Sequence, residues 1–144
     1  MARVLTVGVF DLLHYGHFEL FRRAKDLAGA KGVLTVAVQE DAVVTKYKPE
    51  ARLVYDWAKR VEMIKALRYV DEVISYTDVD KTVREQPFDI FVLGGDQQHS
   101  GFQRAVRWCV DNGRKVVRLP RTEGISSTQM RQREKDAVQL SKQA

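Results

Sequence analysis

The sequence predicts an α/β fold in which about five parallel strands form one sheet, with helices on both of its faces. Short apolar runs alternate along the chain with longer segments whose apolar residues recur at helical spacing, which is the pattern of repeated β-α units. One of the runs, Val33–Val38, is apolar enough to indicate a strand that is buried on both faces. The length of 144 residues suits one domain. Joined by right-handed crossovers, these units predict a Rossmann-like single domain.

The first half of the chain is expected to hold two strands and two helices. Val4–Val9 is a nearly continuous apolar run and predicts the first strand. The helix predicted over Gly16–Leu27 has in-phase apolar residues, namely Phe18, Leu20, Phe21, Ala24 and Leu27. Val33–Val38 is the second predicted strand, and a polar loop is expected from Glu40 to Arg52. Apolar residues in phase then predict a helix over Tyr55–Leu67.

The second half is expected to hold three strands and two helices. The strands are Glu72–Ser75, Ile90–Leu93 and Val116–Leu119. The helices are Val79–Gln86, which Pro87 ends, and Phe102–Asn112, which Gly113 ends. The chain should turn helical again from Ser126. We expect residues 1–130 to make up the domain and residues 131–144 to be its C-terminal helix or tail.

Composition limits the class of ligand and the compartment. The 24 basic and 19 acidic residues give a net charge of +5, which suits an anionic ligand. Because the basic side chains are spread among acidic ones, a nucleotide polyphosphate explains the charge, and no nucleic-acid partner is expected. No apolar run approaches the roughly 20 residues that span a bilayer, so no membrane insertion is expected. The single cysteine, Cys109, excludes an internal disulfide and suits a cytoplasmic location.

The strongest local signal is the stretch Phe10-Asp11-Leu12-Leu13-His14-Tyr15-Gly16-His17, directly after the first predicted strand. The carboxyl ends of strands and the amino ends of helices meet there, which is where such folds bind ligands. His14 and His17 share one face of the predicted helix. With the helix N–H groups they predict an anion site, and Gly8 and Gly16 would let the backbone approach a phosphate. Metal binding is an alternative, but no third ligand has a suitable spacing.

The sequence His14-Tyr15-Gly16-His17 resembles the HxGH signature of the nucleotidyltransferase superfamily, and GVFDLLHYGH is similar to its cytidylyltransferase branch. Further along, RYVDEV (Arg68 to Val73) and LPRTEGISST (Leu119 to Thr128) resemble glycerol-3-phosphate cytidylyltransferases. The likeness covers roughly the first 130 residues in the same order. It implies that both imidazoles lie against the nucleotide phosphates and stabilise charge as pyrophosphate leaves. It also implies a homodimer.

The resemblance further implies which residues bind the nucleotide. After the first strand these are Gly8, Val9, Phe10, Asp11 and Gly16. Asp11 could bind a ribose hydroxyl, coordinate magnesium or cap the following turn. Later in the chain the implied residues are Asp96, Arg121, Thr122, Gly124, Ile125, Ser126 and Ser127. The last segment could simply cap a helix, whereas its implied role is a second phosphate cradle.

Basic residues between the second and third predicted strands are expected to serve the acceptor. Lys46 and Lys48 follow the second strand, where relatives carry lysines that reach the triphosphate and the acceptor phosphate. Arg60 matches a family arginine near the substrates, and Arg68 opens RYVDEV. An ion pair of Arg68 with Asp71 or Glu72 is the alternative. The expected catalytic residues are His14, His17, Lys46 and Arg121, and the expected acceptor-binding residues are Asp11, Lys46, Lys48, Arg60 and Arg68.

Departures from the family pattern fall where the acceptor would bind. Relatives have a second acidic residue and a tryptophan where this chain has Gly95 and Gln97, and Val79 or a neighbour replaces another tryptophan. Gln97, Gln98 and His99 would then offer different polar contacts. Gly94-Gly95-Asp96 could also simply form a turn.

The resemblance predicts an enzyme that joins CTP and a phosphorylated alcohol, with glycerol 3-phosphate as first choice. The products would be a CDP-alcohol and pyrophosphate. Magnesium is expected to accompany the triphosphate. The alternatives are another phosphorylated acceptor, adenylyl transfer from ATP, and a nucleotide-binding regulatory domain without catalysis.

Overall fold

The computed structural model describes residues 2–47, 49–50 and 52–120. Its strands are β1 (Arg3–Gly8), β2 (Val33–Gln39), β3 (Glu72–Tyr76), β4 (Ile90–Gly94) and β5 (Lys115–Leu119). Its helices are α1 (Tyr15–Ala28), α2 (Asp41–Tyr47), α3 (Trp57–Lys65), α4 (Val79–Glu85) and α5 (Ser100–Asp111). Five predicted strands and four predicted helices are confirmed, with ends that differ by at most two residues. None of these helices has the length and apolar character needed to cross a membrane.

The prediction of a polar loop from Glu40 to Arg52 is wrong in part, because the segment begins with α2. Asp41 in its first turn and Lys46 in its last turn favour a helix through their charges. Val44 is 3% exposed and anchors the helix to the core. A helix of seven residues spans only about two turns, so it offers too short an apolar pattern for its period to be recognised.

The sheet is parallel throughout the described part of the chain, with strand order β3-β2-β1-β4-β5. On one face, α1 and α3 pack onto the core with side chains such as Phe21 and Ile64. On the other face, α4 and α5 contribute Val83 and Phe102 to a second core cluster. The predicted five-stranded parallel sheet with helices on both faces is therefore confirmed. The central strand, β1, leads directly to the histidine pair.

The RYVDEV block lies at the edge of the sheet where the strands begin. The carboxylate of Asp71 accepts hydrogen bonds from the backbone N–H of Leu34 at 2.8 Å and from Lys25 Nζ at 2.7 Å. Glu72 accepts from the Thr35 hydroxyl at 3.1 Å and lies 3.9 Å from the Arg3 guanidinium. The block thus ties α1, β1 and β2 to the start of β3.

Candidate active site

The carboxyl ends of β1 and β4 form the place in this sheet where a ligand is expected to bind. The two strands are neighbours, but the chain leaves β1 for β2 on the opposite side, so the topological switch point lies between them. α1 begins at Tyr15 after β1, and α5 begins at Ser100 after β4. The structure therefore brings the histidine pair and the Gly94–Asp96 turn to the same edge of the sheet.

His14 and His17 cap the first turn of α1 with their own side chains. His14 is the N-cap residue, and its Nδ1 accepts a hydrogen bond from the Gly16 N–H at 3.0 Å. The Nδ1 of His17 accepts from the His14 N–H at 3.3 Å, which completes the reciprocal arrangement of a capping box. The two rings stack with centroids 3.9 Å apart and planes inclined by 22°.

This capping determines which ring nitrogen carries the proton. Only an unprotonated ring nitrogen can accept a backbone N–H, so in each neutral imidazole the hydrogen lies on Nε2. Each ring can therefore donate to an anion through Nε2–H, beside the partial positive charge of the helix start. Capping and ligand binding are thus not alternatives for these histidines, because capping is what orients them.

The electrostatic surroundings of His17 keep its ring neutral at physiological pH. Burial and then the neighbouring His14 lower the pKa of His17 from 6.5 to about 4, against an opposing effect of Asp96. A neutral ring retains the Nε2–H donor without adding a cation next to His14. The opposing effect also shows that Asp96, a predicted nucleotide-binding residue, lies within electrostatic range of His17.

The lowered pKa predicts that His17 makes the fold sensitive to acid. Above pH 6.5 the ring is neutral in the folded and unfolded states, so it adds no pH dependence. As the pH falls from 6.5 to about 4, the unfolded chain takes up a proton that the folded site does not, so the free energy of unfolding decreases. Urea denaturation at about pH 7 and about pH 5 should show a larger loss in the wild type than in His17→Gln. Equal losses in both proteins would contradict this assignment.

Phe10 and Gly8 support His17 from the end of β1. Phe10 has a φ of 52°, an uncommon left-handed conformation, and its side chain is buried. Its ring meets the His17 ring edge-on at a centroid distance of 5.3 Å, and that of Phe21 at 5.2 Å. A Cβ on Gly8 would lie 2.7 Å from Phe10 Cζ. Packing therefore requires glycine here, independently of any phosphate.

Asp11 holds another segment of the protein in place. Its carboxylate is buried and accepts hydrogen bonds from the backbone N–H of Val54 at 2.9 Å and of Tyr55 at 3.0 Å. It does not cap α1, because His14 is the N-cap residue. Asp11 thus ties the turn after β1 to the chain that enters α3.

Lys46 and Arg60, both expected to bind the acceptor, lie in different environments. Lys46 is exposed in the last turn of α2. Arg60 is 0% exposed, and its guanidinium donates to the carbonyl of Val9 at 2.7 Å, to that of Tyr55 at 3.2 Å, and to the carboxylate of Asp41. Direct contact with an acceptor phosphate is therefore not available to Arg60 in this structure. The carbonyl of Val9, a predicted nucleotide-binding residue, is likewise bound internally.

Within a single copy of the protein, Arg68 and the histidine pair lie at different edges of the sheet. It is exposed and sits between the end of α3 and the start of β3, at the edge where the strands begin. The histidines occupy the opposite edge. The alternative, an ion pair of Arg68 with Asp71 or Glu72, is not formed among the described residues, since those carboxylates lie nearest Lys25 and Arg3.

Gln97 closes the gap between the ends of β1 and β4. Its side-chain nitrogen donates to the Val7 carbonyl at 2.8 Å, and its side-chain oxygen accepts from the Gly94 N–H at 3.0 Å. Arg118 of β5 donates to the carbonyls of Gly94 and Gln97 at 3.1 and 3.0 Å. Gln97 therefore shapes the turn that carries Asp96. His99, further along the chain, caps α5, because its side chain accepts a hydrogen bond from the backbone N–H of Gly101.

Comparison with known proteins places this site in a family. The family model described as cytidylyltransferase-like matches residues 5–133. This chain belongs to the cytidylyltransferase-like family. The resemblance noted from its motifs is confirmed, and as a member of this family the protein is a nucleotidyltransferase.

Three relatives of this cytidylyltransferase-like protein show how far the likeness extends. The glycerol-3-phosphate cytidylyltransferase of Staphylococcus aureus is 38% identical over 136 residues, which cover 92% of this chain and 94% of that protein. The FAD synthase of Methanobrevibacter ruminantium is 40% identical over 99 residues, which cover 67% of this chain and 65% of that protein. A solved structure, the lipopolysaccharide core biosynthesis protein from Thermoplasma volcanium, matches with a TM-score of 0.69 and 31% identity, covering 84% of this chain and 98% of that one.

Several predicted site residues of the cytidylyltransferase-like chain lie outside the described residues. They are Lys48, Arg121, Thr122, Gly124, Ile125, Ser126 and Ser127, together with the helix expected from Ser126. Within the ranges that are described, no group of three or more His, Cys, Asp and Glu side chains could hold a metal ion.

Two residues that organise the site were missed in the sequence. Asp41, at the start of α2, pairs with Arg60 and accepts from the Trp57 N–H at 3.0 Å. Its place close after a buried strand, at the ligand edge of a parallel sheet, was a usable signal. Arg118 lies in an edge strand and belongs to no motif, so nothing in the sequence distinguishes it from other surface arginines.

Proposed function

We propose that the protein is a cytidylyltransferase that transfers the cytidylyl group of CTP to a phosphorylated alcohol, with glycerol 3-phosphate as first choice. The products are a CDP-alcohol and pyrophosphate. The likeness to the Staphylococcus aureus glycerol-3-phosphate cytidylyltransferase over 92% of this chain supports the substrate class. The observation that carries the proposal is the stacked His14–His17 pair, whose Nδ1 atoms bond the helix start and whose Nε2–H groups are donors.

The proposed reaction is an in-line displacement at the α-phosphorus of CTP. An oxygen of the acceptor phosphate forms the new P–O bond, while the bond to the oxygen bridging the α- and β-phosphates breaks. Pyrophosphate departs with that electron pair, and negative charge grows on its oxygens. His14 and His17 would donate to these oxygens, while Lys46 and Arg121 add positive charge, so that catalysis rests on positioning and charge neutralisation.

Magnesium would enter with the triphosphate and neutralise part of its charge. Its ligands would be mainly phosphate oxygens, with one or two carboxylates from the protein. Asp96 is the residue that fits, because it is an exposed carboxylate at the end of β4 within electrostatic range of His17. Asp11 fits less well, because both of its oxygens accept backbone N–H groups.

Acceptor binding is assigned to Lys46 and Lys48. Because Arg60 is buried, its role is to support the site from inside. Arg68 lies at the opposite edge of the sheet from the histidine pair. It could therefore contact an acceptor only at the active site of a second copy of the chain. We therefore propose a homodimer, acting in the cytoplasm.

A screen of all four nucleoside triphosphates against phosphorylated alcohols tests the proposal. With magnesium, CTP and glycerol 3-phosphate are expected to release pyrophosphate, measured with a coupled inorganic pyrophosphatase. CTP without acceptor should release none. His17→Ala, assayed in parallel, controls for contaminating enzymes. If no pair of triphosphate and acceptor releases pyrophosphate, the enzymatic proposal fails and a regulatory nucleotide-binding role becomes the better account.

Adenylyl transfer is the second candidate function. The 40% identity to the FAD synthase of Methanobrevibacter ruminantium over 99 residues favours it. FMN, which adenylyl transfer would convert to FAD, therefore belongs in the acceptor panel. Pyrophosphate release from ATP with FMN, together with none from CTP and any phosphorylated alcohol, would establish this function in place of the first.

A further inference from the structure

The guanidinium of Arg60 joins three parts of the chain. From α3 it donates to the Val9 carbonyl, just after β1, and to the Tyr55 carbonyl, just before α3. Its third partner is the carboxylate of Asp41, the first residue of α2. A fully buried cation is tolerated only where its charge and its N–H groups are compensated. The three segments are therefore held together around this side chain.

Two carboxylates complete the arrangement. The second oxygen of Asp41 accepts from the Trp57 N–H at 3.0 Å, so the start of α2 is bonded to the start of α3. Asp11 accepts from the N–H groups of Val54 and Tyr55, so the chain that enters α3 is also bonded to the turn after β1. That turn leads into His14. The start of α2 and the histidine pair are thus linked by a short series of buried or half-buried hydrogen bonds.

We propose that Asp11, Asp41 and Arg60, here called the clamp, are positioning residues that hold α2, and with it Lys46, in place relative to the histidine pair. This inference deepens the proposed transferase function and rests on it, because Lys46 is there a donor to phosphate. Asp41 and Lys46 are five residues apart on one helix, about 7.5 Å along its axis. A displacement of Asp41 is therefore transmitted to Lys46.

The clamp explains why an arginine occupies position 60. Its planar group presents several N–H donors in fixed directions, which suits two carbonyls and a carboxylate at once. Lysine would keep the charge but present it from a single nitrogen. We therefore expect Arg60→Lys to behave more like Arg60→Met than like the wild type.

Amide hydrogen exchange of the unliganded full-length protein tests the clamp without any substrate. Arg60→Met is expected to raise the exchange rates of the Trp57 amide and of the α2 amides by about tenfold or more through local opening. The amides of Val36 and Val92, in the central strands, should keep their rates. Lys59→Met is the matched control, because it removes an exposed cation from the same helix, paired only with exposed Asp56 among the described residues. It should change none of these rates.

Two results of this experiment would overturn the clamp. Unchanged exchange of the α2 and Trp57 amides in Arg60→Met would show that these contacts hold nothing in place. Equal acceleration at Val36 and Val92 would show a general structural role in place of a local one. If Arg60→Met does not fold, Asp41→Asn weakens the same ion pair at nearly constant size, and the same two results decide.

Steady-state kinetics are a second test of the clamp, because a residue with only a structural role would not give the result expected here. Lys46→Met and Arg60→Met should each lower kcat/KM, and the double variant should lose little more than either, because Lys46 is already misplaced without Arg60. Losses that multiply would contradict the link. If the wild type shows no transferase activity, the proposed function fails, and the exchange rates still decide the clamp.

Discussion

His17→Ala is expected to lower turnover by about a hundredfold or more. Removing one donor to a developing negative charge typically costs about 2.7–4 kcal/mol of transition-state stabilisation. The charge grows only as pyrophosphate leaves, so the loss should appear mainly in kcat. The measurement is the steady-state rate of pyrophosphate release at saturating CTP and acceptor. A variant with near-normal turnover would remove the assigned role.

A control is needed because His17 also stabilises the helix start. Its Nδ1 accepts from the His14 N–H, and loss of a cap typically costs about 1 kcal/mol. Asn112→Ala is the matched variant, because it removes a hydrogen bond of 2.8 Å to the Trp108 carbonyl at the other end of the sheet. It should lower stability at a helix end far from the histidines while leaving turnover unchanged. Equal loss of turnover in both variants would mean that stability, and not the imidazole, is being measured.

Gly8→Ala is expected to cost both stability and activity. The added Cβ would lie 2.7 Å from Phe10 Cζ, a distance that forces the buried ring to move. Overpacking of this kind typically costs about 1–3 kcal/mol. Because the Phe10 ring contacts His17 edge-on, its displacement should also disturb the imidazole and lower turnover. Urea denaturation and the pyrophosphate assay measure the two effects.

A double-mutant cycle with Phe10→Leu isolates the cause of the Gly8→Ala effect. Phe10→Leu removes the ring that the new Cβ would meet, so the double variant should be more stable than the sum of the two single losses predicts. Additive losses would show that the strain at Gly8 arises elsewhere. Full activity of Gly8→Ala would show that the position of Phe10 does not matter to His17.

The fold was predictable because three of its strands, β1, β2 and β4, are almost wholly buried. β1, β2 and β4 are nearly continuous apolar runs. Such runs are typical of strands that are covered on both faces of a sheet. α1, a helix of 14 residues, was recognised because its apolar residues recur in phase. α2 failed the same criterion because only Val44 is buried among its residues with described side chains. Its first residue, Asp41, is bonded by Trp57 and Arg60, which lie 16 and 19 residues further along the chain.

For the site residues too, what could be predicted depends on whether their contacts are near or distant in the sequence. The pairing of His14 with His17 could be anticipated from the sequence because both residues lie at the start of one predicted helix, and their contacts are completed within four residues. The clamp could not, because Asp11 bonds residues 43 and 44 positions away and Arg60 bonds Val9 across 51 positions. Arg60, which was expected to bind the acceptor, is therefore found buried. Its partners could not be predicted because they are distant in the sequence.

The decisive measurement is a crystal structure of the protein with magnesium and CTP or an unreactive analogue. We expect Nε2 of both His14 and His17 within about 3 Å of phosphate oxygens, while their Nδ1 atoms keep the backbone bonds to Gly16 and His14. Imidazoles that face away from the bound triphosphate, or that meet it through Nδ1, would contradict this account.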